Sequence, residues 1–242
     1  MAKHGKSYVD AAKKFDAETI FDPAEALVLI QSLARAKFDE TVEVVFRLGL
    51  DPRKAEQSIR GTVSLPAGTG KTIRIVVFAQ GEQARAAEAA GADVVGAEDL
   101  VARVEGGFLD FDLAIATPDL MAQVGKLGRA LGPRGLMPNP KTGTVTADVG
   151  KAVTEFKGGR VEYRTDRYGN VQVPIGKVSF SKEDLVGNYQ AVMDEVLRAK
   201  PASAKGRYIK GVSMSSTMGP GVRIDPTRTK DLLGEAPTGA PR

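Results

Sequence analysis

Cysteine is absent from the 242 residues, and histidine occurs once. The first absence removes disulfides, thiolate nucleophiles and cysteine metal sites. The second leaves His4, set in the polar stretch MAKHGKSYVDAAKKFD, as the sole imidazole, poorly placed for acid–base work or metal binding. Without a histidine nearby, no serine has its usual activating base. Carboxylate pairs and lysines are still available, so enzymes are narrowed rather than excluded. No segment reaches the roughly 20 apolar residues of a membrane span. The basic N-terminus lacks an apolar h-region and so does not read as a secretory signal. The expected location is cytoplasmic, with no membrane partner.

What is present suits ordinary folded cores, with 42% hydrophobic and 26% charged residues. A formal charge of +4 and a pI near 9.2 lean towards a polyanionic partner, but the excess alone does not decide the matter.

One short motif invites a nucleotide reading. SLPAGTGKTIRIVVF (64–78) contains Gly-Thr-Gly-Lys-Thr, which suggests a P-loop. A true P-loop reads G-x-x-x-x-G-K-[ST] and must leave a strand and open a helix, so that N–H groups converge on phosphate. Counting back from Gly70-Lys71-Thr72, the leading glycine position holds Leu65. Downstream, Ile73, Ile75 and Val77 alternate as in a strand, which is the wrong context. A glycine-rich connection between elements accounts for the letters; a P-loop NTPase using Lys71 and Thr72 is the rival reading.

The chain changes rhythm twice. Asp22 and Glu25 form a capping arrangement with Pro23 at the first helical position, and Leu27, Ile30 and Ala34 follow at helical spacing, predicting a helix over 22–38. In ETVEVVFRLGL, Val42, Val44, Phe46, Leu48 and Leu50 share one strand face, and Thr41, Glu43, Val45 and Arg47 the other. A second strand is expected at 57–65. From 73 the pattern alternates: strand 73–78, helix 82–90, a short strand at Asp93-Val94-Val95, helix 98–105, the strand DLAIAT, and a helix opening at Pro118-Asp119. Apolar strands alternating with helices indicate a parallel sheet covered on both faces, Rossmann-like in layout but without a G-x-G-x-x-G.

After FKGGR the first rhythm returns. Strands at 160–165 and 171–178 flank the glycine-containing loop 166–170. Ser181 and Asp184 open a helix with Leu185, Tyr189, Val192 and Val196 on its buried stripe, ending near Pro201. A last strand lies in YIKGVSMSST. The expected fold is α/β (α+β). Residues 1–67 plus 160–226 form a discontinuous antiparallel-sheet domain with two helices, interrupted by an inserted Rossmann-like parallel α/β domain, 68–159. Gly68, Gly70, Gly158 and Gly159 mark the crossings as a hinge. The stretch 227–242, rich in Pro, Gly and charge, reads as a disordered tail.

Three constellations carry candidate chemistry. Between Asp119 and Asp148 lie Lys126, Arg129, Arg134 and Lys141 and no acid, in a segment whose GRALGPRGLMPNPKTG has too many Gly and Pro for a helix. Such a basic loop grips phosphates or is simply solvated. RAKFDETVE (35–43) places Arg35, Lys37, Phe38, Thr41 and Glu43 at the head of a strand with a polar face. Those groups suit RNA phosphate, 2′-OH and base contacts; alternatively Phe38 plugs the core and the polar face is wet. In GVSMSSTMGPGVRID, Ser213, Ser215 and Thr217 share a face, followed by the compact turn Met218-Gly219-Pro220-Gly221. Hydroxyls and bare backbone allow close approach to a nucleic acid, with Met218 as an adaptable apolar contact; the plainer reading is an edge strand and turn.

AKFDETVEV, LGLDPRKAEQSIRGTVSLPAGTGK, GADVVG, DFDLAIATPDLM, GKLGRALGPRGLMPNPKTGTV and STMGPGVRID together resemble the bacterial large-subunit ribosomal protein L-one family, from about residue 5 to 226. The resemblance implies a ribosomal protein that binds large-subunit (23S) rRNA to form the mobile stalk at the tRNA exit site and aids release of deacylated exit-site tRNA. It also implies a translational repressor of its own operon mRNA. It implies no enzymatic activity, cofactor, metal or small-molecule substrate. Carried over by position, it implies RNA contacts at Lys37, Phe38, Thr41, Glu43, Arg164, Asp166, Thr217, Met218 and Gly219. Lys126, Arg129, Arg134 and Lys141 are possible additional RNA contacts, and the Gly-Thr-Gly-Lys-Thr stretch falls at the hinge. Some relatives carry a hydroxyl residue where this chain has Gly211, so no contact is carried to that position. A module meeting only protein, or only tRNA, through residues 126–141 is the other rival.

Overall fold

The computed structural model describes residues 5–228. His4 and nearly all of the expected tail lie outside the described residues. In chain order the first elements are α1 (Lys6–Ala12), β1 (Ile20–Phe21), α2 (Pro23–Leu33), β2 (Thr41–Leu48) and β3 (Arg60–Ser64). Then come β4 (Ile75–Phe78), α3 (Gly81–Ala89), β5 (Val94–Gly96), α4 (Glu98–Glu105), β6 (Leu113–Ala116), the short α5 (Met121–Val124) and α6 (Gly128–Leu131), and α7 (Val149–Lys157). The chain continues through β7 (Arg160–Arg164), β8 (Asn170–Lys177), α8 (Lys182–Arg198), β9 (Ile209–Ser216) and β10 (Val222–Ile224). The fold is mixed α/β, as the alternating patterns indicate. It divides into two compact units: residues up to Ile59 with Leu65–Gly70 and Tyr163 onward, and Arg60–Ser64 with Lys71–Glu162.

The first unit is built on a five-stranded sheet in the order β1-β10-β9-β2-β8. β10, β9, β2 and β8 pair antiparallel, and only β1 joins its neighbour in parallel. The alternation of β2 is realised as read: Val42, Val44, Phe46 and Leu48 are buried, while Glu43 and Arg47 face out. Against the buried face pack Leu27 and Ile30 of α2 and Leu185, Tyr189, Val192 and Val196 of α8. The Phe46 and Tyr189 rings stack at 6.3 Å. Full burial of each such side chain contributes about 1.5–3 kcal/mol, which holds helices and sheet together.

Asp22 caps α2, its carboxylate accepting from Ala24 N at 3.1 Å, with Pro23 following. The helix then ends at Leu33, not at residue 38. Ala34 is extended, and the N–H groups of Arg35 and Ala36 turn to the Glu40 carboxylate instead of an upstream carbonyl. A side chain thus takes over the bonds that would have continued the helix. In α8, Ser181 accepts from Asp184 N at 3.1 Å, as its sequence signature predicts.

In the second unit β5-β4-β6 form a parallel sheet. Every β4 residue is buried because the sheet is covered twice. Val76 and Phe78 join Leu100, Val104, Leu127 and Leu131 on one side, and Ile75 and Val77 join Ala87, Val149, Val153 and Phe156 on the other. The last three belong to α7, a helix absent from the sequence-based expectations although Asp148 caps it and its apolar residues have helical spacing. The expectation of no helix in GRALGPRGLMPNPKTG is also corrected. Gly128–Leu131 is a helical turn, anchored by buried Leu127 and Leu131 that outweigh the glycine cost.

β3 and β7 form a separate two-stranded sheet. Gly68 and Gly70 precede the boundary at residue 71, and Gly158 and Gly159 close α7 ahead of the boundary at 163. Gly70 has φ +67°, and a Cβ there would run into Lys177 and Phe180. Ala67 and Gly68 are pinned by fully buried Asn188, which accepts from Ala67 N at 3.0 Å and donates to Gly68 O at 2.9 Å and Ile175 O at 2.7 Å.

Candidate nucleic-acid interface

β2 and β9 place two chain segments of distant sequence side by side. Glu43 pairs with Ser215 and Val45 with Ser213, so the carboxylate and both hydroxyls share the outward face. Arg47 stands farther along the same face. At the head of the strands the Thr217 hydroxyl accepts from Thr41 N at 2.9 Å and lies 3.3 Å from Thr41 O, to which it donates. The Thr41 hydroxyl in turn accepts from Lys177 Nζ at 2.8 Å. Lys177, on edge strand β8, is a cation of this surface that the sequence reading missed, because only the pairing Thr41↔Lys177 brings it there.

Beneath this end sits Glu40, 2% exposed. Its Oε1 accepts from Arg35 N at 2.9 Å and Ala36 N at 2.8 Å, and its Oε2 accepts from Met218 N at 3.0 Å. Burial alone raises its pKa, but the Ser216 side chain and the N–H groups of Ala36, Met218 and Arg35 together hold it below the ordinary value. Glu40 therefore stays charged and fixes both loops that rise over it. On those loops Phe38 is 57% and Met218 64% exposed, large apolar groups held in solvent beside exposed Lys37. Phe38 does not plug the core. Gly219 fits closely against Ser216, since a Cβ there would meet Ser216 Oγ.

The candidate residues divide into two places on the first unit. Lys37, Phe38, Thr41, Glu43, Thr217, Met218 and Gly219 gather at the start of β2. Arg164 and Asp166 lie towards its other end, where Arg47 pairs with Asn170, about 20 Å along the strand at 3.4 Å per residue. Asp166 is occupied by its own turn: Oδ1 accepts from Tyr168 N and Asn170 N, both at 2.8 Å, and Oδ2 from Asn170 Nδ2 at 3.0 Å. Burial raises its pKa, and these bonds, with one from Gly169 N–H, lower it further than burial raises it. The turn projects Tyr168, 84% exposed, next to exposed Arg167 and Arg164. Sequence reasoning passed over Tyr168, although an aromatic at a loop tip just after two arginines is a legible signal.

In the second unit Lys126, Arg129, Arg134 and Lys141 are all exposed, and none has an ion-pair partner among the described residues. Asn139 shapes the turn that holds Lys141, its side-chain oxygen accepting from Lys141 N at 2.8 Å and its carbonyl from the Thr142 and Thr144 hydroxyls at 3.1 Å. The Gly-Thr-Gly-Lys-Thr stretch is followed by coil and then β4, with no helix terminus to receive phosphate. Lys71 Nζ instead lies 2.6 Å from Asp112, whose pKa it lowers most, with Arg74 contributing.

A family model described as Ribosomal protein L1p/L10e matches residues 30–220. This chain belongs to the ribosomal protein L1p/L10e family. Proteins named large ribosomal subunit protein uL1 are similar to it along nearly their whole length. That of Rhodococcus erythropolis is 60% identical over 236 residues, covering 98% of this chain and 99% of the relative. That of Cutibacterium acnes is 61% identical over 229 residues, covering 95% and 99%. That of Mycobacteroides abscessus is 59% identical over 233 residues, covering 96% and 99%. Membership makes the chain a structural, non-enzymatic constituent of the large ribosomal subunit, with the ribosome and its RNA as partners and the bacterial cytoplasm as its place. The resemblance carried by AKFDETVEV and STMGPGVRID is thereby substantiated, and the NTPase reading of Lys71 and Thr72 falls.

Proposed function

We propose that the first unit grips folded large-subunit rRNA with the surface at the head of β2 and β9, forming the mobile stalk at the tRNA exit site and aiding release of deacylated tRNA. The observation that carries this reading is the exposed pair Phe38 and Met218, held up by the buried Glu40 carboxylate. Exposed apolar groups on a fixed backbone, flanked by Lys37 and Lys177, suit ribose and base planes with phosphates alongside. Because Glu40 and Thr217 fix the backbone beforehand, little ordering entropy is lost on binding. Thr41, Glu43 and Gly219 complete this end, and Arg164 supplies a distant phosphate contact. Asp166 acts by shaping its turn.

The same surface binds a matching fold in the operon's own mRNA and represses its translation. Lys126, Arg129, Arg134 and Lys141 supply additional RNA contacts, and the crossings at Gly68, Gly70, Gly158 and Gly159 serve as the hinge. The test is binding of a stalk rRNA fragment to Thr217→Ala and Met218→Asp variants. Each is expected to bind at least tenfold more weakly; affinity unchanged in both removes the assignment.

A further inference from the structure

A cavity of about 430 Å³ opens between α1 and the two loops that Glu40 ties together. Phe38 and Met218 line it together with Tyr8, Ala11, Leu33 and Ala36, and Ser7 and Arg35 add polar groups. Its volume lies at the small end of ligand sites, enough for one ring system rather than a length of chain. The Arg35 guanidinium donates to Ser7 O at 3.2 Å, which ties the start of α1 to the loop after α2 and keeps the walls in place. Two large apolar side chains that a soluble surface would normally hide are left exposed where they line this cavity.

We propose that the cavity receives a single nucleobase turned out of the RNA helix. This rests on the RNA-binding reading of the surface above. Structured RNA presents unpaired bases at bulges and internal loops, and such bases are recognised by stacking on aromatic side chains. Here Tyr8, Phe38 and Met218 supply aromatic and polarisable walls, and Arg35 and Lys37 carry positive charge for the flanking phosphates. Recognition of a bulged base explains how the end of a sheet with few base-reading groups selects one site in a long RNA.

The probe is a stalk rRNA fragment carrying 2-aminopurine at each unpaired position in turn, bound by the full-length protein. One position is expected to change its fluorescence sharply on binding, as its base leaves the RNA stack. Ala36→Leu, which fills the cavity and keeps the backbone N–H to Glu40, is expected to abolish that change and weaken binding roughly tenfold, the scale of one lost base stack. Removing the base at the responding position from the RNA should weaken wild type equally and leave Ala36→Leu unaffected, which guards against a variant that merely misfolds. Tight binding with every position silent overturns the inference and leaves the RNA-binding surface standing. Failure to bind the fragment at all overturns the underlying reading instead.

Discussion

The carboxylate of Glu40 accepts the backbone N–H of Met218, 178 residues farther along the chain, at 3.0 Å. Its other oxygen holds Arg35 and Ala36, so one buried charge fastens both halves of the discontinuous unit where the exposed apolar pair stands.

Glu40→Gln replaces one acceptor oxygen with an NH2 that faces a backbone donor. The expected loss is about 1–3 kcal/mol of stability, the scale of a buried unsatisfied group. Urea unfolding measures it, and RNA affinity should fall in parallel as Phe38 and Met218 lose their supports.

The same group sets a pH dependence. Glu40 has a folded pKa below its ordinary 4.5, so the unfolded state binds more protons near that pH. Its contribution is therefore complete above about pH 5.5 and lost as pH falls through the folded value. Asp93, Asp112, Asp166 and Asp225 are lowered too and add to the acid loss. Unfolding free energies from pH 7 to 3 should show the gap between wild type and Glu40→Gln narrowing below about pH 4.5. A gap that widens contradicts the assignment.

Gly219→Ala tests the fit of the Met218 turn. The added Cβ meets Ser216 Oγ, whereas Ser216 Cβ lies at an ordinary 3.6 Å. Overpacking of this kind costs about 1–3 kcal/mol. Ser216→Ala removes the colliding oxygen, so the double variant should recover much of the loss, giving a coupling energy of at least about 0.5 kcal/mol. Additive losses in thermal unfolding would show that the turn needs glycine for some other reason.

Asn188→Ala removes the amide that binds Ala67, Gly68 and Ile175 from a fully buried position. Stranding a buried donor and two carbonyls should cost about 2–4 kcal/mol. Hydrogen exchange at Ala67 N should accelerate strongly. A protected Ala67 amide in this variant would mean that Asn188 does not hold the crossing.

These residues show where sequence reasoning ran short. The alternation of β2 was plain, yet it began at Thr41. Extended one step back, its period places Glu40 on the same inward face as Val42 and Val44, where an acid demands partners. The end of α2 was unreadable locally, because residues 34–38 are compatible with helix and stop only when the Glu40 carboxylate takes the Arg35 and Ala36 N–H groups. Lys177 joins the surface through a strand register that spans more than a hundred residues. By contrast, the Asp148 cap and the spacing of Val149, Ala152, Val153 and Phe156 are local signals, so α7 was there to be read.

Salt dependence separates charge from stacking at the proposed interface. If about five phosphates are neutralised, log K should fall against log salt with a slope near −4. Lys37→Ala and Arg164→Ala each remove one cation, and each should make the slope shallower by about 0.7–0.9. Lys37 is at the start of β2 and Arg164 towards its far end, well beyond the range where neighbouring mutations couple, so the double variant should show the sum. Phe38→Ala should weaken binding by a salt-independent factor, leaving the slope unchanged, because a ring displaces no counterion. The five lines, wild type included and measured by filter binding from 50 to 400 mM salt, thus separate loss of a cation, which changes the slope, from loss of the ring, which shifts the line without tilting it. An Arg164→Ala line parallel to wild type would confine the RNA to the Phe38–Met218 end, and a shallower slope in Phe38→Ala would mean that the ring positions cations rather than stacking on the RNA.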